Sequence, residues 1–256
     1  MDPEIMQKRQ GGIHSVWFIR GVKNNRHGLI MLFFMIIYIK IFGILEARQN
    51  IQFHIIHVPA DDMIPFHEAF IIPYLLWFPF VIGTVAFFVF HKGPDHRYYL
   101  KEEYYRLAFN LIFGMCVFLL ISWLYPNMVD LRPKVFPRDN FLTDCVKWLY
   151  RSDTCTNVFP SIHVFNSMAC TTAVLCSPLL RKNRLAVSIS CTMTVLVILA
   201  TVFLKQHSLL DVIMGFILGM TGYFLFYNVR ILDLISGKSA LRKNEAASST
   251  LSERCR

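Results

Sequence analysis

The sequence lacks the Cys and His spacings that hold a metal ion, so a metal centre of that kind is not among the candidates. It lacks an internal repeat, which sets aside solenoid and propeller architectures. Met1–His27 is polar and basic, with no apolar core before a small-residue cleavage site, so no cleavable signal is expected there. Charge is sparse as well: only 17% of residues are charged, and 17 acidic residues face 26 Lys and Arg. On a soluble protein a net charge of +9 would suggest nucleic acid. Here no basic face is free of the apolar runs, so a nucleic-acid role is not expected. The basic residues gather in short loops, as they do where loops stay cytoplasmic and meet anionic lipid.

What is abundant is apolar. Hydrophobic residues make up 55% of the chain, and mean hydropathy is +0.45. A soluble domain is usually nearer 45–50% apolar. The excess lies in long runs, and roughly 20 such residues cross a bilayer as a helix. Six segments are expected to span: Leu29–Leu45, Phe70–Phe90, Leu107–Tyr125, His163–Leu180, Leu185–Leu204 and Leu209–Leu232. The expected fold is therefore all-α, a six-span bundle over residues 29–235. A basic N-terminal segment (1–28) precedes it and a disordered tail (236–256) follows.

Orientation follows from the loops. Lys8, Arg9, Arg20, Lys23 and Arg26 precede the first span; Lys92, Arg97, Lys101 and Arg106 lie between the second and third. Arg181, Lys182 and Arg184 lie between the fourth and fifth, and Lys238, Arg242 and Lys243 follow the sixth. With six spans all four groups share one face, expected to be cytoplasmic. The loop with Glu46, Asp61, Asp62 and Glu68 sits opposite, as does the long polar loop from Pro126 to Ile162. A loop of that length is often functional. Of the seven cysteines, Cys145 and Cys155 share this loop, where a disulfide would form if it faced an oxidising compartment.

Three short stretches then meet at the outer face: Leu131–Pro133, Phe159–His163 and Lys205–Asp211. Their chemistry suits a phosphate ester, which needs cations and N–H donors around its oxygens, a nucleophile in line and an acid for the leaving oxygen. Arg132 offers a guanidinium fork and Lys205 a second positive charge. Ser161 stands ahead of the helix that His163 opens, so its hydroxyl and nearby N–H groups can face an anion. His207 and Asp211 are four apart, hence neighbours on one helix face. A carboxylate on one imidazole nitrogen fixes the tautomer and frees the other nitrogen to attack phosphorus. His163 is then the proton donor to the departing alkoxide. Each residue alone has a plain structural reading, as interfacial anchor or helix cap. Asp211 resists it, since a carboxylate entering a membrane span is costly.

At these residues the chain resembles the type 2 phosphatidic acid phosphatase superfamily, with its RP, PSGH-like and His-x3-Asp motifs in this order. Here they read Arg132–Pro133, Pro160–Ser161–Ile162–His163, and His207 with Asp211, and the resemblance spans Leu107–Leu232. Three positions depart from the family pattern: Tyr125 stands where it has Lys, Ile162 where it has Gly, and Thr201 where it has Arg. Lys134, Arg138 or Lys205 would have to stand in for the two missing cations. The departures resemble the lipid phosphotransferase branch that includes inositol phosphorylceramide synthase and sphingomyelin synthase.

The resemblance implies His207 as a nucleophile forming a phosphohistidine, Asp211 orienting it, and His163 as general acid and then base. It implies Arg132 and Ser161 as phosphate ligands, no metal and no cofactor. The expected activity is hydrolysis of a lipid phosphate or pyrophosphate ester at the outer face of the plasma membrane. The alternative is transfer of the phosphoryl headgroup to an acceptor alcohol. A transporter fits less well, because ionisable residues gather at one rim and only Lys40 sits well inside a span.

Overall fold

The computed structural model describes residues 26–91 and 99–229. The expected N-terminal segment up to residue 25, Lys92 and Arg97, and the expected disordered tail lie outside the described residues. Seven helices of more than one turn are described: α1 (Leu29–Glu46), α2 (Ile71–Phe90), α3 (Tyr99–Leu124), α4 (Phe141–Ser152), α5 (Ile162–Cys176), α6 (Arg184–Phe203) and α7 (Leu209–Tyr223). A π-helical turn, Phe224–Asn228, prolongs α7.

Five segments are long and apolar enough to cross a membrane: Arg26–Glu46, Glu68–Phe90, Lys101–Leu124, Arg184–Phe203 and Leu209–Asn228. Their outer surfaces carry large exposed side chains such as Leu32, Phe33 and Ile82. A surface this apolar is costly in water and natural against hydrocarbon, so the chain reads as an integral membrane protein.

Two expected boundaries move. The fourth segment ends at Cys176 instead of Leu180, because Pro178 forces Ser177 into extended backbone (φ −71, ψ 122). At 15 residues, α5 is the short member of the bundle. The third segment starts at Tyr99 instead of Leu107, because Tyr104 and Leu107 are both fully buried and carry the helix through the polar Lys-Glu-Glu turn.

The long loop is also more ordered than its polarity suggests. It contains α4, opened by Asn140, whose side chain accepts the Thr143 N–H at 3.0 Å. Val146 and Leu149 on its apolar face pack with Ile71 and Tyr74 of α2. A two-residue parallel pair, β1 (His54–Ile55) with β2 (Asn127–Met128), ties this loop to the one after α1. Cys145 and Cys155 are free thiols and sit in different apolar clusters.

The helix α5 is the central post. A methyl group on Gly114 of α3 would collide with the Phe165 ring. One on Gly215 of α7 would meet the Ser161 carbonyl oxygen at 2.7 Å. Such small residues let helices approach closely where hydrophobic driving force is weak. On the α6 side, the Thr171 hydroxyl bonds Ser190 and Thr194 hydroxyls at 2.8 and 2.7 Å.

Contacts at the two ends fix the up-and-down order. His27 rests edge-on against Tyr104, and Gly28 lies beside Val89, so the start of α1, the end of α2 and the start of α3 share one end. At the other, Arg48 Nη2 donates to the Ser122 carbonyl at 2.6 Å and the His67 N–H to the Phe203 carbonyl at 3.1 Å. The Ser161 N–H donates to the Asp211 carbonyl at 3.0 Å. The starts of α2, α5 and α7 therefore share a rim with the ends of α1, α3 and α6.

Candidate active site

The rim is built from two helix starts and one strained turn. Ser161 caps α5 from extended backbone, its Oγ accepting the Val164 N–H at 3.4 Å. It is fully buried. His163 follows in the first turn, its ring against Tyr74 and Trp77 of α2, with centroids 4.8 and 4.4 Å away.

After α6 the chain reverses through Lys205, whose φ of 53° is left-handed, a conformation that L-residues other than Asn and Asp seldom hold. The Gln206 and His207 N–H groups both donate to the Thr201 carbonyl, at 3.0 and 3.1 Å. Ser208 then caps α7, and Asp211 closes the cap by accepting the Ser208 N–H at 2.9 Å.

These pieces make a relay. Asp211 Oδ2 lies 3.3 Å from His207 Nδ1, and His207 Nε2 lies 3.2 Å from His163 Nδ1. An ionised carboxylate only accepts, so it selects the Nδ1–H tautomer of His207 and leaves Nε2 with its lone pair. His163 Nδ1–H then donates to that lone pair. The carboxylate of Asp211 is fully buried and His207 is 5% exposed, so that end of the relay is shielded from bulk water, while His163 at the other end is half-buried.

The other residues singled out in the sequence are arranged differently. Arg132 Nη1 donates to the Tyr150 carbonyl at 3.1 Å; its Nη2 donates to the Asp153 and Thr154 carbonyls and to Gln206 Oε1, at 3.0, 2.9 and 2.7 Å. The guanidinium also lies over the Tyr150 ring at 4.4 Å. The tips of its fork are thus committed to protein. Lys205 Nζ donates to the Asp61 carbonyl at 2.7 Å, away from the histidines. Burial lowers its pKa, against the pull of Asp61 and Asp62. Of the other cations considered, Arg138 pairs with Glu68 at 2.8 Å and Lys134 is exposed. Among the described residues no group of three His, Cys, Asp or Glu side chains is arranged to hold a metal ion.

Several site residues escaped the sequence reading. Asp61 is 1% exposed and grips the start of α7: its Oδ2 accepts from Ser208 Oγ at 2.6 Å and from the Val58 N–H at 2.9 Å, and its Oδ1 from the Leu209 N–H at 2.8 Å. In the sequence it is one of several outer-loop acids. Asp153, at the end of α4, accepts a hydrogen bond from the Tyr74 hydroxyl at 3.2 Å. Burial pushes its carboxyl above the usual carboxylate range, although His207, Tyr74 and Arg132 all pull the other way. Tyr74 and Trp77 are three apart on one face of a span, which hydropathy alone reads as ordinary membrane packing.

A family model described as the PAP2 superfamily matches residues 103–231. No curated protein and no solved structure matches the chain. The matched stretch runs through α3 to the end of α7 and includes Arg132, Ser161, His163, Lys205, His207 and Asp211.

Proposed function

The chain belongs to the PAP2 superfamily, and from that premise we propose that it is a membrane phosphatase acting on a lipid phosphate or pyrophosphate ester through a phosphohistidine. The observation that carries this reading is the unbroken relay Asp211–His207–His163 at one rim of the bundle. The tail of the substrate stays in the bilayer while its phosphate parts the two imidazoles. His207 Nε2 attacks phosphorus and forms an N–P bond as the ester P–O bond breaks, and His163, as the imidazolium held by the bound phosphate's charge, gives a proton to the leaving oxygen and becomes the neutral base. Water then loses a proton to His163 and attacks phosphorus; the N–P bond breaks and phosphate leaves. Asp211 holds His207 in the attacking tautomer throughout. Arg132 and Ser161 serve the phosphate oxygens, Arg132 through its Nε and through the loop it braces. Lys205, bonded to Asp61, supports the turn that delivers His207. Both termini are cytoplasmic and the rim faces outward, with the basic loops against anionic lipid.

One observation favours a second reading, transfer to an acceptor alcohol. His163 lies beside the rings of Tyr74 and Trp77 and His207 is nearly closed to water, which suits an alcohol as attacking group. A single assay on purified protein tests both: a panel of lipid phosphates, with and without acceptor lipids, scored for free phosphate against transferred headgroup. Acid-labile phosphate on wild type and none on His207→Ala is the expected result. No turnover and no phosphoprotein across the panel would reject the proposal.

A further inference from the structure

The amide of Gln206 has half of its hydrogen-bonding capacity assigned. Its Oε1 accepts from Arg132 Nη2 at 2.7 Å. This contact also settles which way the amide faces: a guanidinium only donates, so the atom beside it must be the oxygen and the opposite atom the NH2. That Nε2 is buried and has no protein partner among the described residues, in a side chain 3% exposed. Arg132 Nε beside it, and Trp77 Nε1 against the His163 ring, are likewise buried donors without a protein partner among the described residues.

Buried N–H groups are costly to leave unpaired, and the great majority in folded proteins have a partner. Here three orphan donors come from α2, the loop after β2 and the turn before His207, all at the histidine rim. The Tyr74 ring lies against His163 and its hydroxyl donates to the Asp153 carboxylate at 3.2 Å, while Arg132 Nη2 donates to the main-chain carbonyl of Asp153 at 3.0 Å and Gln206 directly precedes His207. The Arg132–Gln206 pair therefore borders the same space as the nucleophile. Two of the cations that could have filled an anion cradle are spent elsewhere, Lys205 on Asp61 and Arg138 on Glu68.

We infer that the Gln206 carboxamide, held in orientation by Arg132, donates Nε2–H to a phosphate oxygen of the substrate beside His207. This rests on the phosphotransfer reading and names one of its binding groups. The cradle is then one braced guanidinium and neutral N–H donors, which hold an anion by direction as well as by charge.

The test uses full-length protein in detergent, with inorganic phosphate and orthovanadate as probes. Gln206→Glu keeps an oxygen for Arg132 and replaces the NH2 by a second oxygen; Gln206→Met removes the donor without adding charge. Losing a hydrogen bond to a charged group corresponds to roughly tenfold to hundredfold in affinity. Both variants should therefore bind each probe at least about tenfold more weakly than wild type, with KM raised more than kcat is lowered. Melting should be near wild type for Gln206→Glu, since the bond to Arg132 survives. If Gln206→Glu does not fold, Gln206→Met gives the same reading. Wild-type affinity for both probes in either folded variant would overturn the assignment while leaving phosphotransfer intact. A wild-type protein that binds the probes through Gln206 yet turns over no lipid phosphate would support the cradle and reject the phosphatase reading alone. Wild-type protein that binds neither probe would overturn both.

Discussion

His163 Nδ1 lies 3.2 Å from His207 Nε2, so in the resting site the proposed acid is hydrogen-bonded to the proposed nucleophile. A phosphoryl group must separate them, and each imidazole then meets one side of the breaking bond. Removing either ring should be severe but unequal. His207→Ala is expected to abolish turnover, and His163→Ala to lower kcat by roughly two to four orders of magnitude, the usual reach of general acid–base catalysis. Both proteins should remain membrane-inserted. Wild-type kcat in purified His207→Ala would remove the nucleophile from the mechanism.

Asp61 should matter although it touches neither histidine. Its carboxylate receives two hydrogen bonds from the start of α7 and one from the Val58 N–H, and its carbonyl receives Lys205. Asp61→Ala leaves buried donors unpaired and is expected to cost about 3 kcal/mol of stability. It should also lower kcat at least tenfold by loosening His207 and Asp211. Thermal melting in detergent beside kcat separates the two effects; unchanged kcat would confine Asp61 to stability.

The carboxyl of Asp153 predicts a limb along which activity falls as pH rises. Its pKa is raised by burial, so at lower pH it is neutral beside the incoming anion. As pH rises through that raised pKa it ionises and repels phosphate, and kcat/KM should fall. Around it, Tyr74, Arg132 and His207 favour the charged form and Glu46 opposes it. Asp153→Asn should flatten the limb. Tyr74→Phe removes a donor that stabilises the carboxylate, so it should move the limb to higher pH. A limb that stays in place in Asp153→Asn would assign it to another group.

Gly215 sets the distance between α5, which carries His163, and α7, which follows directly on His207. A Cβ there would come within 2.7 Å of the Ser161 carbonyl, backbone that cannot swing aside. Gly215→Ala should push α7 from α5 and lower kcat by about tenfold or more, since misplacement of catalytic groups by about 1 Å costs of that order or beyond. Unaltered kinetics would mean that the rim tolerates a shift in this register.

Much of this could be read from the chain, and the reasons are particular. The helices follow from runs of apolar residues, and the pairing of His207 with Asp211 from their spacing, although His207 precedes the Ser208 cap and it is the capping turn, not a helix face, that brings the two together. Their meeting with His163 followed from counting spans. What stayed hidden depended on contacts between distant segments. Asp61 and Asp153 look like ordinary loop acids until the chain folds over them. Pro178 marks the break in the fourth segment, but the apolar residues on both sides of it hide that break from a reading by hydropathy. The pattern of α4 was masked by the charge density of its loop. Arg132 stands out in the sequence beside Pro133, yet no sequence signal shows that its fork ends on carbonyl oxygens.

Orientation can be tested directly. The Asp139 side chain is 90% exposed beside the rim, although it pairs with Lys147 at 2.9 Å. A cysteine placed there should react from outside with a reagent that cannot cross the membrane. Reaction only after permeabilisation would turn the protein over.

Asp61, Tyr74 and Trp77 all precede residue 103, where the family match begins. A fragment trimmed to the matched stretch would keep every motif residue and lose the clamp on α7 together with the aromatic wall of His163. Such a fragment would hold the reagents without the vessel, and transplanting the three motifs into another bundle would fail for the same reason.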